Sequence, residues 1–208
     1  MRIIKPGFEF MTPISAQAIM EHLERCGRVC YKSEDRIAEG SAEKFLANIV
    51  KRGHEAVLEH FSFTVKFTVD RGGSHEIVRH RMASYCQEST RYCNYSKDGF
   101  GNEITVIEPC FFEKGSPEWT LWKHACEVSE RYYFNLLDWN RTPQEARSVL
   151  PTSLKTEVVM TANIREWRHF LKLRTSKAAH PQIREVAVPL LYALQRLVPV
   201  LFDDIEEG

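Results

Sequence analysis

The sequence has no apolar run approaching the roughly twenty residues needed to cross a bilayer. It also has no excess charge of either sign: Lys+Arg total 28 and Asp+Glu total 28. No global basic field therefore draws the chain to nucleic acid. Glycine is scarce, at 10 residues, and there is no Ser/Gly linker, low-complexity tract or internal repeat. The cysteines at positions 26, 30, 86, 93, 110 and 126 include no Cys-x-x-Cys pair, so they read as reduced thiols. The opening Met1-Arg2-Ile3-Ile4-Lys5-Pro6-Gly7 lacks the apolar stretch of a signal peptide. These absences predict a cytoplasmic protein with no membrane or nucleic-acid partner. What remains is an ordinary globular composition, 43% hydrophobic and 27% charged over 208 residues, enough to bury a real core.

The patterning predicts one α+β domain over residues 1–208, with a mostly antiparallel central sheet and flanking helices. Residues 2–10 read as a strand. Helices are expected from Ser15 to about 29 and from Ser41 to near Gly53. Residues 61–69 are the clearest strand, with Phe61, Phe63, Val65, Phe67 and Val69 alternating with polar residues. Arg71-Gly72-Gly73 should break it, and Ser74 should cap a short helix running to about Met82. Residues 84–102 have no clear period and read as loop, and residues 103–107 as a short strand. Ser116-Pro117 opens the longest helix. Thr142 with Glu145 resembles a capping box for a helix that ends before Pro151. Residues 153–162 read as strand, and Asn163 with Glu166 caps a helix to Arg174. Pro181 starts a final helical stretch that Pro189 should kink or divide.

The densest chemistry lies between Arg79 and Tyr92. Arg79, His80, Arg81 and Arg91 cluster there with Ser89, Thr90 and the aromatic surfaces of Tyr85, Tyr92 and Tyr95. His75 and Glu76 are expected on the same short helix as Arg79 and His80. An arbitrary basic stretch of this kind is a solvated turn. Neighbouring cations repel, however, and guanidinium forks with hydroxyl donors suit an anion such as phosphate.

Arg79-His80-Arg81, seven intervening residues and Ser89 form the signature that this chain shares with flavin-dependent thymidylate synthases, a family it resembles. The resemblance continues at Gly53-His54-Glu55, Glu59-His60, Ala146-Arg147-Ser148-Val149-Leu150-Pro151 and Asn163-Ile164-Arg165. His169-Phe170-Leu171, Leu173-Arg174 and Gln182-Ile183-Arg184 complete it. It implies reductive methylation of dUMP to dTMP, with FAD as cofactor and NADPH and 5,10-methylenetetrahydrofolate as co-substrates. It implies a homotetramer whose sites are shared between subunits. Residue by residue, it implies FAD contacts at His54, Ala56, Arg79, His80, Arg81, Gln87, Asn163, Ile164, Arg165 and His169. It implies dUMP contacts at Glu76, Ile77, Val78, Arg79, Gln87, Glu88, Ser89, Thr90, Arg91, Arg147 and Arg174, with Arg174 facing the uracil ring as the catalytic residue. Neither G-x-G-x-x-G nor a Walker A loop occurs, as expected if FAD is bound without a dinucleotide fold. The chain departs from the family pattern at Glu76, commonly Gln, and at His169, often Asn. It departs again at Ala178-Ala179-His180-Pro181-Gln182-Ile183-Arg184, where a His is displaced by two residues.

Other residues carry weaker signals. Trp167 and Arg174 are seven residues apart, about 700° of helical rotation, so they share a face within roughly 20°. A cation on an apolar stripe is costly unless paired or placed in a site; snorkelling from the last turn is the bland alternative. His54-Glu55 and Glu59-His60 are two residues too widely spaced for His-Glu-x-x-His, so no metal is expected. Pro109-Cys110 and Cys86 read as small buried hydrophobes rather than nucleophiles. Ser89 has no evident base, which favours a phosphate ligand. Two rival readings are a flavoprotein oxidoreductase that lost thymidylate synthesis, opposed by Arg147 and Arg174, and a nucleotide- or RNA-binding module, opposed by the zero net charge.

Overall fold

The computed structural model describes residues 1–208 and every side chain except that of Asp98. Its elements are β1 (Arg2–Ile4), β2 (Gly7–Phe10), α1 (Ala16–Tyr31), α2 (Ser41–Lys51), β3 (Ser62–Asp70), α3 (Arg71–Ile77) and β4 (Ser84–Gln87). After these come β5 (Thr105–Ile107), α4 (Pro117–Asp138), α5 (Pro143–Ala146), β6 (Lys155–Asn163), α6 (Ile164–Arg174), α7 (Pro181–Leu197) and α8 (Pro199–Phe202). The class is α+β, with a mostly antiparallel sheet and flanking helices. The four-stranded sheet runs β2-β3-β6-β4, and β1 pairs parallel with β5. Among the described residues, no helix is long and apolar enough to cross a membrane.

The backbone divides into two compact units. The first is Met1–Gly7, Phe67–Arg79 and Cys86–Val158; the second is Phe8–Lys66, His80–Tyr85 and Val159–Gly208. The first unit is built around Tyr95, Ile104, Val106, Cys126, Tyr133, Ala146 and Leu154. Its long helix α4 begins as its sequence dictates: Pro117 needs no N–H at the first turn, and Ser116 accepts from Trp119 N at 3.1 Å.

In the second unit, α1 packs on α2 and α6 on α7. Gly27 makes the α1–α2 approach possible, because a Cβ there would lie 2.6 Å from the Phe45 ring. Trp167 of α6 is fully buried and stacks on Phe63 of β3, centroids 4.9 Å apart, and its Nε1 donates to the Phe63 carbonyl. The β3 alternation is real: Phe63, Val65, Phe67 and Val69 are each 2% exposed or less. Burying one such side chain stabilises by roughly 1.5–3 kcal/mol.

Several sequence expectations need correction. Residues 2–10 are two strands in different sheets, because Pro6 has no N–H to continue a ladder. Asp70, not Ser74, caps α3, accepting from Gly73 N at 2.5 Å. A Cβ on Gly73 would stand 3.1 Å from that carboxylate oxygen. The two glycines therefore open the helix instead of breaking the strand. The helix ends at Ile77, so Arg79 and His80 do not continue the helix of His75 and Glu76. Part of the expected 84–102 loop is strand β4. Pro189 lies inside an unbroken α7; the division falls at Val198, ahead of Pro199.

Candidate functional site

The Arg79-His80-Arg81 motif sits where the chain passes from one unit into the other. Arg79 and Arg81 are exposed, whereas His80 is buried. In the second unit His80 Nε2 accepts from Arg174 Nε at 3.1 Å, and Nδ1 lies 3.2 Å from Glu166 Oε1. Its ring is edge-on to Phe170 at 4.9 Å and to His169 at 5.6 Å. The Tyr85 hydroxyl donates to the His80 carbonyl at 2.7 Å. Burial, then the Arg174 charge, then His169 push the imidazole down to about 4. Burial likewise pushes the Tyr85 phenol up to about 12. Burial pushes Glu166 up, against a smaller opposing pull from His169. The His80–Glu166 contact is therefore a hydrogen bond from a neutral ring, not an ion pair. The motif presents two cations rather than three.

Asn163 caps α6 by accepting from Glu166 N at 2.9 Å. This fixes the start of the helix carrying Ile164, Arg165, Glu166, His169 and Arg174. Ile164 is buried core, and Arg165 and His169 are exposed. Arg165 Nη1 donates to Glu59 at 2.6 Å, with Glu55 3.7 Å from its Nε. A cavity of about 370 Å³ lies here, lined by Glu55, Glu59, Met82, Asn163, Arg165, Glu166, Arg168, His169 and Lys172. Glu59 and Glu55 engage Arg165 and Asp204 holds Arg168, so the lining carries paired charges rather than a bare cationic face; Lys172, 48% exposed, offers a cation to a phosphate and exposed Met82 a soft apolar surface to a flat ring. The residues thus fit part of a flavin dinucleotide. His54 heads the 3₁₀ turn Glu55–His60, which also carries exposed Ala56. Its Nδ1 is 3.1 Å from the Tyr31 hydroxyl, beside a second cavity of about 440 Å³ that Arg28, Lys32, Arg36 and Arg52 help line.

In the first unit the segment after β4 is organised internally. Gln87 Nε2 donates to Ser74 Oγ at 3.0 Å and to Thr156 Oγ1 at 3.3 Å. Glu88 accepts from Lys155 at 2.8 Å and from the Tyr95 hydroxyl at 3.1 Å. Ser89 Oγ accepts from Arg91 N at 3.3 Å, and Arg91 Nε donates to Gln144 at 3.0 Å. Arg147 Nη1 donates to Thr90 Oγ1 at 3.4 Å. Arg91 and Arg147 are exposed, so this loop and the 3₁₀ turn Arg147–Val149 bring two guanidiniums and two hydroxyls together. Ile77 is fully buried, and Glu76 and Val78 are half-buried.

The expected aromatic surfaces divide. Tyr92 is 76% exposed with Arg91 over its ring at 5.3 Å, while Tyr95 is 4% exposed in the core. Cys86 and Cys110 are exposed, not buried; Cys126 is buried, which raises its thiol to about 11. Sequence reasoning gave Glu166 only a capping part and Tyr85 only an aromatic surface, and missed Arg168. The spacing of Glu166, Phe170 and Arg174 at i, i+4 and i+8 was the available signal for the first. His80, Glu166 and His169 bring potential ligand atoms within 4.8 Å of one another. Both His80 nitrogens are already used, one by the Arg174 donor, which argues for a hydrogen-bonded string over an ion site.

The α+β fold is shared with a solved UMP/dUMP methylase, PolB from Streptomyces cacaoi, bound with 5-Br dUMP. That structure superposes with a TM-score of 0.78 at 24% identity, covering 98% of this chain and 96% of its own. The family model described as thymidylate synthase complementing protein matches residues 16–200, and the chain belongs to that family. Relatives named flavin-dependent thymidylate synthase include one from Geobacter sulfurreducens, 33% identical over 87% of this chain and 79% of its own length. Another, from Corynebacterium glutamicum, is 33% identical over 92% and 80% respectively.

Proposed function

We propose that the chain is a flavin-dependent thymidylate synthase that converts dUMP to dTMP, with 5,10-methylenetetrahydrofolate as carbon donor and NADPH as reductant, through bound FAD. The observation that carries this reading is the 3.1 Å hydrogen bond from Arg174 Nε to His80 Nε2. It joins the middle of the Arg-His-Arg motif to the arginine assigned to the uracil ring. The names of the relatives support the same reading.

When bound, the flavin supplies the reducing equivalents. Asn163, Arg165 and His169 on α6 would hold it, together with His54, Ala56, Arg79, Arg81 and Gln87. His80 and Ile164 would support that surface from beneath, consistent with their burial. Ser89, Thr90, Arg91 and Arg147 would take the dUMP phosphate, where guanidinium forks and hydroxyls give charge-assisted bonds. Glu88 would act chiefly by fixing the loop, since Lys155 and Tyr95 already engage its carboxylate. Arg174 stays protonated and cannot serve as acid or base. Its fixed charge would stabilise the negative charge that develops on the uracil oxygens and N3 more than the neutral ground state, which lowers the barrier.

The whole chain would act as one domain, in a cytoplasmic homotetramer whose subunits complete each other's sites. The test is a visible spectrum of the purified protein, then NADPH addition with and without dUMP and folate. Flavin bleaching with dUMP-dependent dTMP formation is expected. A flavin-free protein that forms no dTMP after FAD is supplied would refute the activity, and a monomer by light scattering would refute the shared sites.

A further inference from the structure

Helix α6 lays three side chains against one buried imidazole. Glu166, Phe170 and Arg174 form a stripe about 12 Å long, given a rise of about 1.5 Å per residue. His80 meets all three, at 3.2 Å from Nδ1 to Glu166, 4.9 Å between its ring centroid and that of Phe170, and 3.1 Å from Nε2 to Arg174 Nε. A guanidinium nitrogen only donates, so Nε2 must hold the lone pair. A neutral ring then carries its proton on Nδ1, and that N–H donates to Glu166. The other tautomer would set two N–H donors face to face where the His80 side chain is 2% exposed.

We propose that Glu166 is a positioning residue for Arg174: by accepting from His80 Nδ1–H, it holds the imidazole in the tautomer whose Nε2 fixes Arg174 Nε and so sets the plane of the guanidinium. The role rests on Arg174 acting on the uracil ring. Nothing in the family resemblance assigns a function to position 166.

The chemistry favours a neutral holder. A carboxylate at Nε would offset part of the guanidinium charge, and a protonated imidazole there would repel it. A neutral Nε2 fixes direction without taking charge. Among the described residues, Glu166, His169 and Arg174 from α6 bring ionisable groups to the ring, and the Tyr85 hydroxyl holds the His80 carbonyl. Burial, Arg174 and His169 all resist protonation of the ring. A misplacement of about 1 Å in such a group can cost on the order of 100-fold in rate.

Nitrogen-15 NMR on histidine-labelled holoenzyme reads the tautomer directly, with the His80 signals identified by their loss in His80→Gln. The wild type should show Nδ1 protonated and Nε2 bare at pH 7. Glu166→Gln keeps an acceptor oxygen and should keep both the tautomer and most of kcat. Glu166→Leu should lose the tautomer preference and about 10- to 100-fold in kcat, with less change in the KM for dUMP and with flavin content retained. An Nε2–H tautomer in the wild type overturns the proposal. So does a Glu166→Leu enzyme with unchanged tautomer and turnover, or a Glu166→Gln enzyme as impaired as Glu166→Leu. The tautomer needs no turnover to be read, so a wild type that shows Nδ1–H yet forms no dTMP would defeat the assigned activity while the relay geometry stood.

Discussion

Two arginines on α6 occupy opposite kinds of surroundings. Arg168 is 2% exposed and saturated by acceptors: its Nη1 and Nη2 fork onto Asp204 at 2.6 Å each, its Nε reaches Glu55 at 3.3 Å, and Nη1 also donates to the Leu201 carbonyl. Carboxylates neutralise it, so its work is to tie α6 to the chain's end. Arg174 meets the neutral ring of His80 through Nε, and that contact cancels none of its charge. A buried guanidinium forked onto a carboxylate is a structural tie, whereas a half-buried one that donates its Nε to a neutral imidazole has that nitrogen oriented without a carboxylate at it.

The largest effect expected from breaking this contrast is at Arg174. Removing a comparable preorganised donor costs about 2.7–4 kcal/mol, or on the order of 100- to 1,000-fold in kcat. Arg174→Ala should lose that turnover while keeping FAD and oligomer size, and Arg174→Lys should recover only part, because a point charge lacks the planar fork. Near-normal dTMP formation by Arg174→Ala would remove the distinction between the two arginines.

The next effect is on stability. Arg168→Ala would strip Asp204 of its guanidinium fork and the Leu201 carbonyl of this donor, while Glu55 would keep Arg165 and Lys172 within 4.0 Å. Breaking a buried pair costs roughly 3–5 kcal/mol; Asp204 is 43% exposed, which puts the expected loss near the lower end. Urea denaturation measures it, and a loss of only about 0.5 kcal/mol would mean the fork behaves as a surface pair.

The smallest effect is a pH slope. His80 is pushed down to about 4 from an ordinary 6.5, so between those values the unfolded chain binds a proton that the native state refuses. Stability should therefore fall as pH drops through that window, by up to about 1.4 kcal/mol per unit from this group. Denaturation at pH 7 and pH 5 should show a smaller acid loss in His80→Gln than in the wild type. An equal loss would place the sensitivity elsewhere.

Local signals were read well where local physics decides. The Ser15, Ser116 and Asn163 caps form because each needs only a side chain accepting from a backbone amide three residues on, and in the Thr142–Glu145 box the Glu145 carboxylate reaches back to accept from Thr142 N at 2.8 Å. The β3 alternation survives for the same reason: one face is buried and one is not. Asp70 caps α3 where Ser74 is expected to, because an Asp cap and a close amide approach use the two glycines, breakers by propensity, to start a helix. Pro189 does not divide α7, because packed neighbours hold the helix together across a missing N–H. Tyr95 lies in the core while Tyr92 is exposed, a difference that the local pattern of residues 84–102 does not encode.

The sequence by itself determined the family, the motif residues and the helix that carries Arg174, since these depend on residue identity and spacing along the chain. Only the tertiary structure decided which of the clustered cations are charged and what holds them. His80 and Glu166 are 86 residues apart, and His80 and Arg174 are 94 apart. No periodicity spans such distances; burial and a donor–acceptor match, both products of folding, make the middle residue of a basic motif a neutral acceptor.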